Sequence, residues 1–236
     1  MSDWETEEQR CKASWIDAAI AIFMKDVRSE LRSRSALSSI LLFAVTALVV
    51  VGFSVGIESG LSSTVQAALL WIVLFFAAFS GLSHVFLHEE ESGTSLALRL
   101  TASPSAIYTG KLMFNQALLC GIAFLVAPLY LLLLDIRPAS LGAFLLVILI
   151  GCPGLGAAAT VVAAIISRAK GRGALYGALG FPLLLPLLFM AVHATRLTLV
   201  SSSLGSELPH DLIGLGAFAV MVITAGALLF PYIWEE

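Results

Sequence analysis

Charged residues are scarce in this chain of 236 residues. They make up 12% of it, whereas hydrophobic residues make up 59%, and the mean hydropathy is +0.97. A soluble domain carries roughly 25% charged and 45–50% apolar residues, so this chain has more apolar surface than water can accommodate. The net charge of -3 is also too small to indicate a nucleic-acid partner. We therefore expect lipid as the neighbour of this protein.

Sequence motifs for several kinds of chemistry are missing. The three cysteines, Cys11, Cys120 and Cys152, form no CxxC pair and no Cys/His cluster, so neither a zinc site nor heme attachment through CxxCH is expected. The chain also contains no GxxxxGK[ST] phosphate loop, so ATP must be bound by another polypeptide if it is used. We expect no metal, no catalytic residue and no resident cofactor in this chain, and we predict that it is not an enzyme by itself.

Long apolar runs dominate the sequence instead. Six of them have about 20 residues or more, enough to cross a hydrocarbon core of about 30 Å as helices. They are 36–57, 65–86, 112–134, 141–167, 174–194 and 212–234. None contains Lys, Arg, Asp or Glu, whereas pumps and ion-coupled transporters usually keep a charge inside the membrane. The sequence therefore predicts an all-α polytopic membrane protein, with a six-helix domain over 36–234, that does not power transport by itself.

The segment before the first span is amphipathic. After a polar extension, 1–13, which we expect to be poorly ordered, residues 14–34 place apolar side chains on one helical face and basic ones on the other. The apolar set is Ile16, Ile20, Phe23, Val27 and Leu31. Because this helix runs directly into a span, an interfacial elbow helix is favoured over an ordinary surface helix.

The distribution of basic residues predicts the orientation. With the N-terminus in the cytoplasm, the inner segments hold eleven Lys and Arg residues and the outer loops hold two, Arg137 and Arg196. We therefore expect both termini to be cytoplasmic and the connections 58–64, 135–140 and 195–211 to lie outside. The inner set is Arg10, Lys12, Lys25, Arg28, Arg32, Arg34, Arg99, Lys111, Arg168, Lys170 and Arg172.

The longest connection, the inner loop 87–111, carries the most pattern. Three carboxylates, Glu89, Glu90 and Glu91, precede a glycine that permits a sharp turn, Gly93, and a threonine that could cap a helix, Thr94. A short helix is predicted over 95–100, ending before Pro104. Such a loop suits docking of a basic partner protein, and a solvated charged loop is an equally open interpretation.

Among the prolines inside predicted spans, Pro153 lies in the fourth span, and Pro182 and Pro186 lie in the fifth. A proline removes a helical hydrogen bond and bends the chain. These positions are therefore candidate hinges. Static packing against small residues such as Gly154 and Gly156 is the favoured alternative, and the two interpretations are compatible.

Two blocks of sequence resemble one known family. The stretch HEEESGTSLALRLTASPSAIYTGKLMFNQ, residues 88–116, and the stretch from Ile150 to Arg196 with its paired prolines are similar to the heme exporter protein B (CcmB-like) family. The resemblance covers about Phe23 to Arg196. The extension 1–13 and the segment after Arg196 show little similarity, so the last span is predicted from hydropathy alone.

The resemblance implies an ABC-2-type permease subunit of the cytochrome c maturation system in the bacterial cytoplasmic (inner) membrane. Residues 14–34 would be its elbow helix. Its coupling loop would transmit force from a separate P-loop ATPase subunit (CcmA-like), which binds the ATP. By the family, two copies of the permease work with heme-handling membrane subunits and a periplasmic heme chaperone. The coupling residues are expected to be Glu89, Glu90, Glu91, Gly93, Thr94 and Arg99.

Heme is then the ligand that the complex transports or handles, and histidines are its usual protein ligands. The candidates are His84 and His88 near the inner end of the second span, and His193 and His210 around the last outer loop. His193 is the first to test, although polar roles at helix ends are favoured for all four. Two other functions stay open: a permease that exports a lipid, drug or polysaccharide, and a membrane scaffold that transports nothing.

Overall fold

The computed structural model describes the chain over residues 3–55, 61–91, 102–167, 172–201 and 206–235, with side chains over most of these ranges. Within them the chain forms α-helices and no strand, which confirms the prediction of an all-α protein. The helices are α1 (Asp3–Ser33), α2 (Ser35–Val55), α3 (Ser63–Glu91), α4 (Pro104–Leu133), α5 (Leu141–Ser167), α6 (Arg172–Val200) and α7 (Glu207–Glu235).

Four helical segments are each long and apolar enough to cross a membrane. They are Pro104–Leu133, Leu141–Ile166, Gly180–Val200 and Glu207–Tyr232. Leu37–Phe53 of α2 is long and apolar enough only when it is taken together with Trp15–Ser33 of α1, from which it is bent by 66°. The apolar part of α3, Ser63–Phe79, is shorter. A polytopic membrane protein is thus confirmed, and the number of six spans stays a prediction.

The helices extend beyond the apolar runs that predicted them. Helix α1 begins at Asp3 and includes most of the extension that was expected to be poorly ordered. Its Glu, Gln, Arg and Lys residues favour helix, which accounts for the difference. Helices α6 and α7 likewise extend into the predicted connection 195–211, because hydropathy locates where a helix leaves the lipid and not where it ends.

Helix α5 lies at the centre of the bundle and packs against α3, α4, α6 and α7. In the most apolar 18-residue stretch of α5, 72% is buried inside the protein. The corresponding share is 28–39% in the other three segments that could span a membrane. Small residues allow this close approach. A side chain at Gly151 would meet the Trp71 ring, and one at Gly154 would meet Leu187.

From α2 onward, successive helices run up and down, so the bundle has two ends. Helix α1 packs beside the start of α4, which we call the α1 end. At the opposite end, the Tyr130 hydroxyl near the end of α4 donates to the Gln66 carbonyl at the start of α3 (2.6 Å). Also at that end, the Ser140 N–H before α5 donates to the Thr198 carbonyl near the end of α6 (3.2 Å). The predicted inner loop therefore leaves and re-enters the bundle at the α1 end.

The chain turns sharply between α1 and α2 at Arg34, which has a left-handed backbone with a φ of 54°. A residue other than glycine rarely adopts this conformation. The Arg34 N–H donates to the Glu30 carbonyl at 2.6 Å, and the Arg34 carbonyl accepts from the Ser38 N–H at 3.0 Å. The Glu30 carboxylate accepts from the Leu37 N–H at 2.8 Å. Glu30 thus supplies the acceptor that the first turn of α2 lacks in its own sequence.

Replacing Glu30 with alanine is expected to remove this cap and to lower the free energy of unfolding by about 1 kcal/mol. Glu30→Gln keeps an oxygen acceptor and loses only the attraction of the carboxylate to the helix dipole, so its effect should be smaller. Thermal unfolding of the detergent-solubilised protein measures both variants. Equal loss in the two would show that charge, and not the hydrogen bond, holds the corner.

Candidate functional site: the inner loop and the α1–α4 junction

The candidate coupling residues lie at or beyond the end of α3. Glu89, Glu90 and Glu91 form its last turn, so the helix continues about five residues past the predicted end of the span at 86. Gly93, Thr94 and Arg99, and the short helix predicted over 95–100, lie outside the described residues. The chain is described again from residue 102, and α4 begins at Pro104, where the ring suits the first helical position. Roles for all six residues stay predictions.

The start of α4, which directly follows the loop, contacts α1. The Trp15 indole N–H donates to the Ser105 hydroxyl at 3.0 Å, in the first turn of α4. One turn further, Gly110 lies against α1 so closely that an added Cβ would be 2.7 Å from the Ala19 carbonyl oxygen and 2.9 Å from the Ile22 Cβ. The absence of a side chain at Gly110 is therefore what allows the two helices to touch.

An ion pair completes this α1–α4 junction. The Lys111 ammonium lies 3.8 Å from one oxygen of Asp26, and the Lys25 ammonium lies 3.2 Å from the other. Lys111 is fully buried and Asp26 is 7% exposed. Burying two charges is costly unless they remain together, so the pair ties the two helices in one arrangement. Trp15, Ala19, Ile22 and Asp26 follow one another at spacings of 4, 3 and 4, which places them on one helical face.

This face is not the one that the apolar pattern of α1 indicated. Ile16, Ile20 and Leu31 of the predicted apolar set are exposed, whereas Ala19, Ile22 and Asp26 are buried. The three exposed residues are available to lipid, whereas Phe23 and Val27 of the same set are partly buried against the bundle. Lys111, which the sequence placed among the basic loop residues, is instead part of the contact. The GK pair at 110–111 in the family-like motif was the available signal, and nothing marked Asp26 as its partner.

A buried polar seam joins α4 to the centre of the bundle. The Asn115 amide donates to the Thr160 hydroxyl at 2.8 Å, and that hydroxyl donates to the Gly156 carbonyl at 2.7 Å. The next residue, Gln116, donates from its amide to the carbonyl of Pro153 at 2.7 Å. Both amide oxygens of this seam are buried and find no hydrogen-bond partner among the described residues. A Cβ at Gly156 would lie 2.7 Å from the Gln116 oxygen, so a larger residue there would displace the Gln116 side chain.

The three candidate hinge prolines all lie inside helices. Pro153 is in α5, beside the seam, whereas Pro182 and Pro186 lie on an exposed face of α6. Next to these prolines, Gly154 of α5 packs against Leu187 of α6 with no room for a Cβ. This contact gives the packing interpretation a concrete basis, while hinge motion at the prolines stays a prediction.

The histidines separate into two groups. The side chains of His84 and His88 lie outside the described residues, although both positions are in α3. His193, near the end of α6, places its Nδ1 2.6 Å from an oxygen of Asp211 in the first turns of α7. His210 is exposed, with its Nδ1 2.7 Å from the Ser206 carbonyl. Among the described residues no group of three His, Cys, Asp or Glu side chains could hold a metal ion.

These features define a multi-pass α-helical membrane protein. Its first helix, α1, is held against α4, the span that follows the predicted inner loop. The chain belongs to the CcmB protein family, whose model matches residues 17–231. The match extends to residue 231 in α7, so the expectation that similarity ends near Arg196 is wrong, while the family predicted from the two sequence blocks is confirmed.

Curated relatives share the match over most of their length. The heme exporter protein B of Bradyrhizobium diazoefficiens is 28% identical over 78% of this chain and 83% of its own. The protein of the same name from Pseudomonas aeruginosa is 27% identical over 75% of this chain and 80% of its own. That from Rhodobacter capsulatus is 27% identical over 75% and 81%.

Proposed function

We propose that this protein is the permease subunit of an ABC transporter complex that delivers heme across the bacterial inner membrane for the biogenesis of c-type cytochromes. The observation that carries the proposal is the CcmB family match over residues 17–231, together with relatives named heme exporter protein B. The apolar helices that could span a membrane agree with a multi-pass permease. The missing phosphate loop agrees with a separate subunit that hydrolyses ATP.

In this proposal the inner loop receives the motion of the ATPase. Three consecutive carboxylates, Glu89, Glu90 and Glu91, offer a negative surface to a basic patch on that subunit. Gly93 and Thr94 shape the turn and cap of the docking segment, and Arg99 adds a cation within it. None of these residues performs bond chemistry; they transmit force.

The α1–α4 junction supports this route because it begins where the loop ends. Ser105, Gly110 and Lys111 are in the first turns of α4, directly after the segment that would be pushed. A displacement of the loop therefore moves α4 and α1 as one unit. The polar seam of Asn115 and Gln116 then passes the displacement to α5 at the centre of the bundle.

The complex would contain further partners. Two copies of this permease would serve two ATPase subunits, next to heme-handling membrane subunits and a periplasmic heme chaperone. The basic residues of α1, such as Lys25, Arg28 and Arg32, would face the cytoplasm and the lipid phosphates, with both termini on that side. ATP stays on the ATPase, and heme is the cargo that the complex moves or releases.

The test is the double variant Glu90→Lys and Gly93→Pro, expressed with its ATPase in a host that lacks its own heme exporter protein B. We expect the complex to assemble, ATP turnover to lose its dependence on the permease, and covalently heme-stained c-type cytochromes to be lost. The charge reversal Asp17→Lys, on the exposed face of α1, is the matched control and should leave all three measurements unchanged.

Two outcomes would contradict the proposal. If the unmodified chain restores no cytochromes in that host, heme delivery is the wrong function. If cytochromes survive the double variant, the inner loop is not the coupling device. A scaffold that transports nothing predicts this second result.

One structural feature favours a second candidate, export of a lipid-like molecule. A half-open apolar groove of about 440 Å³ runs between α4 and α5, lined by residues such as Phe124, Pro128, Leu145 and Leu149. A groove of this kind suits an acyl chain, since it offers apolar contact and few polar groups. Loss of an exported lipid with normal cytochrome levels, on deletion of the protein, would favour this function over heme delivery.

A further inference from the structure

A histidine–aspartate pair lies at the end of the bundle that the coupling route does not use. His193 Nδ1 and Asp211 Oδ2 are 2.6 Å apart across the boundary between α6 and α7. The aspartate side chain is 17% exposed and the imidazole 44%. An ionised carboxylate only accepts hydrogen bonds, so the proton lies on Nδ1 when the ring is neutral, and the lone pair is on Nε2.

The pair has the geometry of a prepared metal ligand. Histidines that bind metals usually donate their other ring N–H to a carboxylate, which fixes the tautomer and raises the basicity of the ligating nitrogen. Within the described part of the chain, Asp211 is the hydrogen-bonding partner of the His193 ring, and Nε2 makes no hydrogen bond. A half-exposed imidazole held in this way can bind a metal centre that approaches from outside.

The surroundings select the kind of metal centre. No group of three His, Cys, Asp or Glu side chains forms an ion site among the described residues, so this part of the chain offers too few ligands for a bare ion. Heme brings four in-plane nitrogens with its iron, and one histidine is enough to hold it by an axial bond. The exposed pair therefore fits an iron porphyrin better than a free cation.

Helix α6 also presents the two further groups that heme needs. Phe189 is one turn before His193 on the same face and is 73% exposed, which offers an aromatic surface to the porphyrin ring. Arg196 is one turn after His193 and towards the end of the bundle, where a guanidinium can pair with propionate groups. Phe189, His193 and Arg196 thus follow one another along α6 as an apolar surface, an iron ligand and a cation. This order matches the porphyrin ring, the iron and the propionate groups of heme.

We propose that His193, positioned by Asp211, is an axial ligand for heme docked on the exposed face of α6 at the end of the bundle opposite α1. This inference rests on the proposed function, which supplies heme as the cargo. The imidazole Nε2 donates its lone pair to the iron and displaces a water molecule, with no change in the oxidation state. A single protein ligand on an open surface holds heme for transfer rather than for storage.

The test is a titration of ferric protoporphyrin IX into the full complex, reconstituted in lipid nanodiscs and followed by absorbance and electron paramagnetic resonance. His193→Gln keeps an amide donor for Asp211 and removes the imidazole. We expect loss of the imidazole-ligated spectrum and a higher Kd, with recovery of the spectrum on adding free imidazole. Asp211→Asn should raise the Kd by about 10- to 100-fold, no more than His193→Gln does, and shift the reduction potential of the bound heme. His210→Gln, at the same end of the bundle, is the matched control and should change nothing.

Iron-free protoporphyrin IX separates ligation from apolar contact. Its affinity should be the same for the unmodified complex and for His193→Gln, because it has no iron to ligate. The inference is wrong if His193→Gln retains the spectrum and affinity for the ferric heme, or if it loses the iron-free porphyrin to the same extent. ATP turnover of the same preparation shows that the variant complex is folded.

Cytochrome yield in the complementation host decides the proposed function separately. If the unmodified chain restores cytochromes and His193→Gln binds heme unchanged, only the present inference fails. If heme binds through His193 and the unmodified chain restores no cytochromes, only the proposed function fails.

Discussion

Asp26→Ala is expected to lower the free energy of unfolding by about 3–5 kcal/mol, the usual cost of removing one member of a buried ion pair. The reason is that Lys111 is fully buried and would lose the carboxylate that lies 3.8 Å from its ammonium. The measurement is unfolding of the purified protein in mixed detergent micelles, with loss of helical circular dichroism as the signal. In cells, the variant should accumulate poorly.

Lys111→Met should be less damaging than Asp26→Ala. Asp26 keeps Lys25 at 3.2 Å, and the methionine side chain fills the apolar volume of the lysine stem. The pair Asp26→Leu with Lys111→Met removes both charges and should recover most of the stability that Asp26→Ala loses. Asp17→Ala, on the exposed side of α1, is the control and should have little effect. If Asp26→Ala is as mild as Asp17→Ala, the ion pair does not hold the junction.

Gly110→Ala is expected to destabilise the junction by about 1–3 kcal/mol because the added methyl group has no space. Its nearest neighbour is the backbone carbonyl oxygen of Ala19, at 2.7 Å, which cannot rotate away as a side chain could. Helix α1 must then move off α4, and we expect both lower thermal stability and weaker coupling of ATP turnover to the permease.

Gly121→Ala provides the matched control for Gly110→Ala. It introduces the same change in the same helix, and a Cβ at Gly121 would meet nothing within 4 Å. Alanine is the better helix former, so this variant should be stabilised by about 0.5–1 kcal/mol. Opposite signs for the two variants would locate the effect in the contact with α1. Equal signs would mean that α4 itself, and not the junction, responds to the substitution.

The sequence predicted the helices better than it predicted their contacts. Apolar runs of about 20 residues have few alternatives to a membrane helix, so the all-α polytopic class followed from hydropathy. The family followed from two blocks of sequence. The predicted ends of the helices differed from the observed ones because the polar residues beyond the lipid, as at 195–200 and 207–211, continue the helix in water.

The α1–α4 junction could not be predicted because the residues that share its helical face, Trp15, Ala19, Ile22 and Asp26, do not form a uniformly apolar stripe. The large apolar side chains of α1 that hydropathy detects are partly or largely exposed to the surroundings of the bundle, and the contact with α4 is made by Ala19, Ile22 and Asp26. Pairing Asp26 with Lys111 requires two residues that are 85 positions apart to meet, which depends on how the helices pack. His193 was identified as the histidine to test, but its partner Asp211 became evident only from the approach of α7 to α6.

The contact of α1 with α4 at Gly110 places a glycine against a main-chain oxygen. At this point the distance between the two helices is set by backbone atoms and does not depend on a particular side chain. The far side of α1, with Ile16, Ile20 and Leu31, is therefore free to change in size and hydrophobicity. Substitutions on that side of α1 should therefore leave its distance from α4 unchanged, whatever lipid surrounds it.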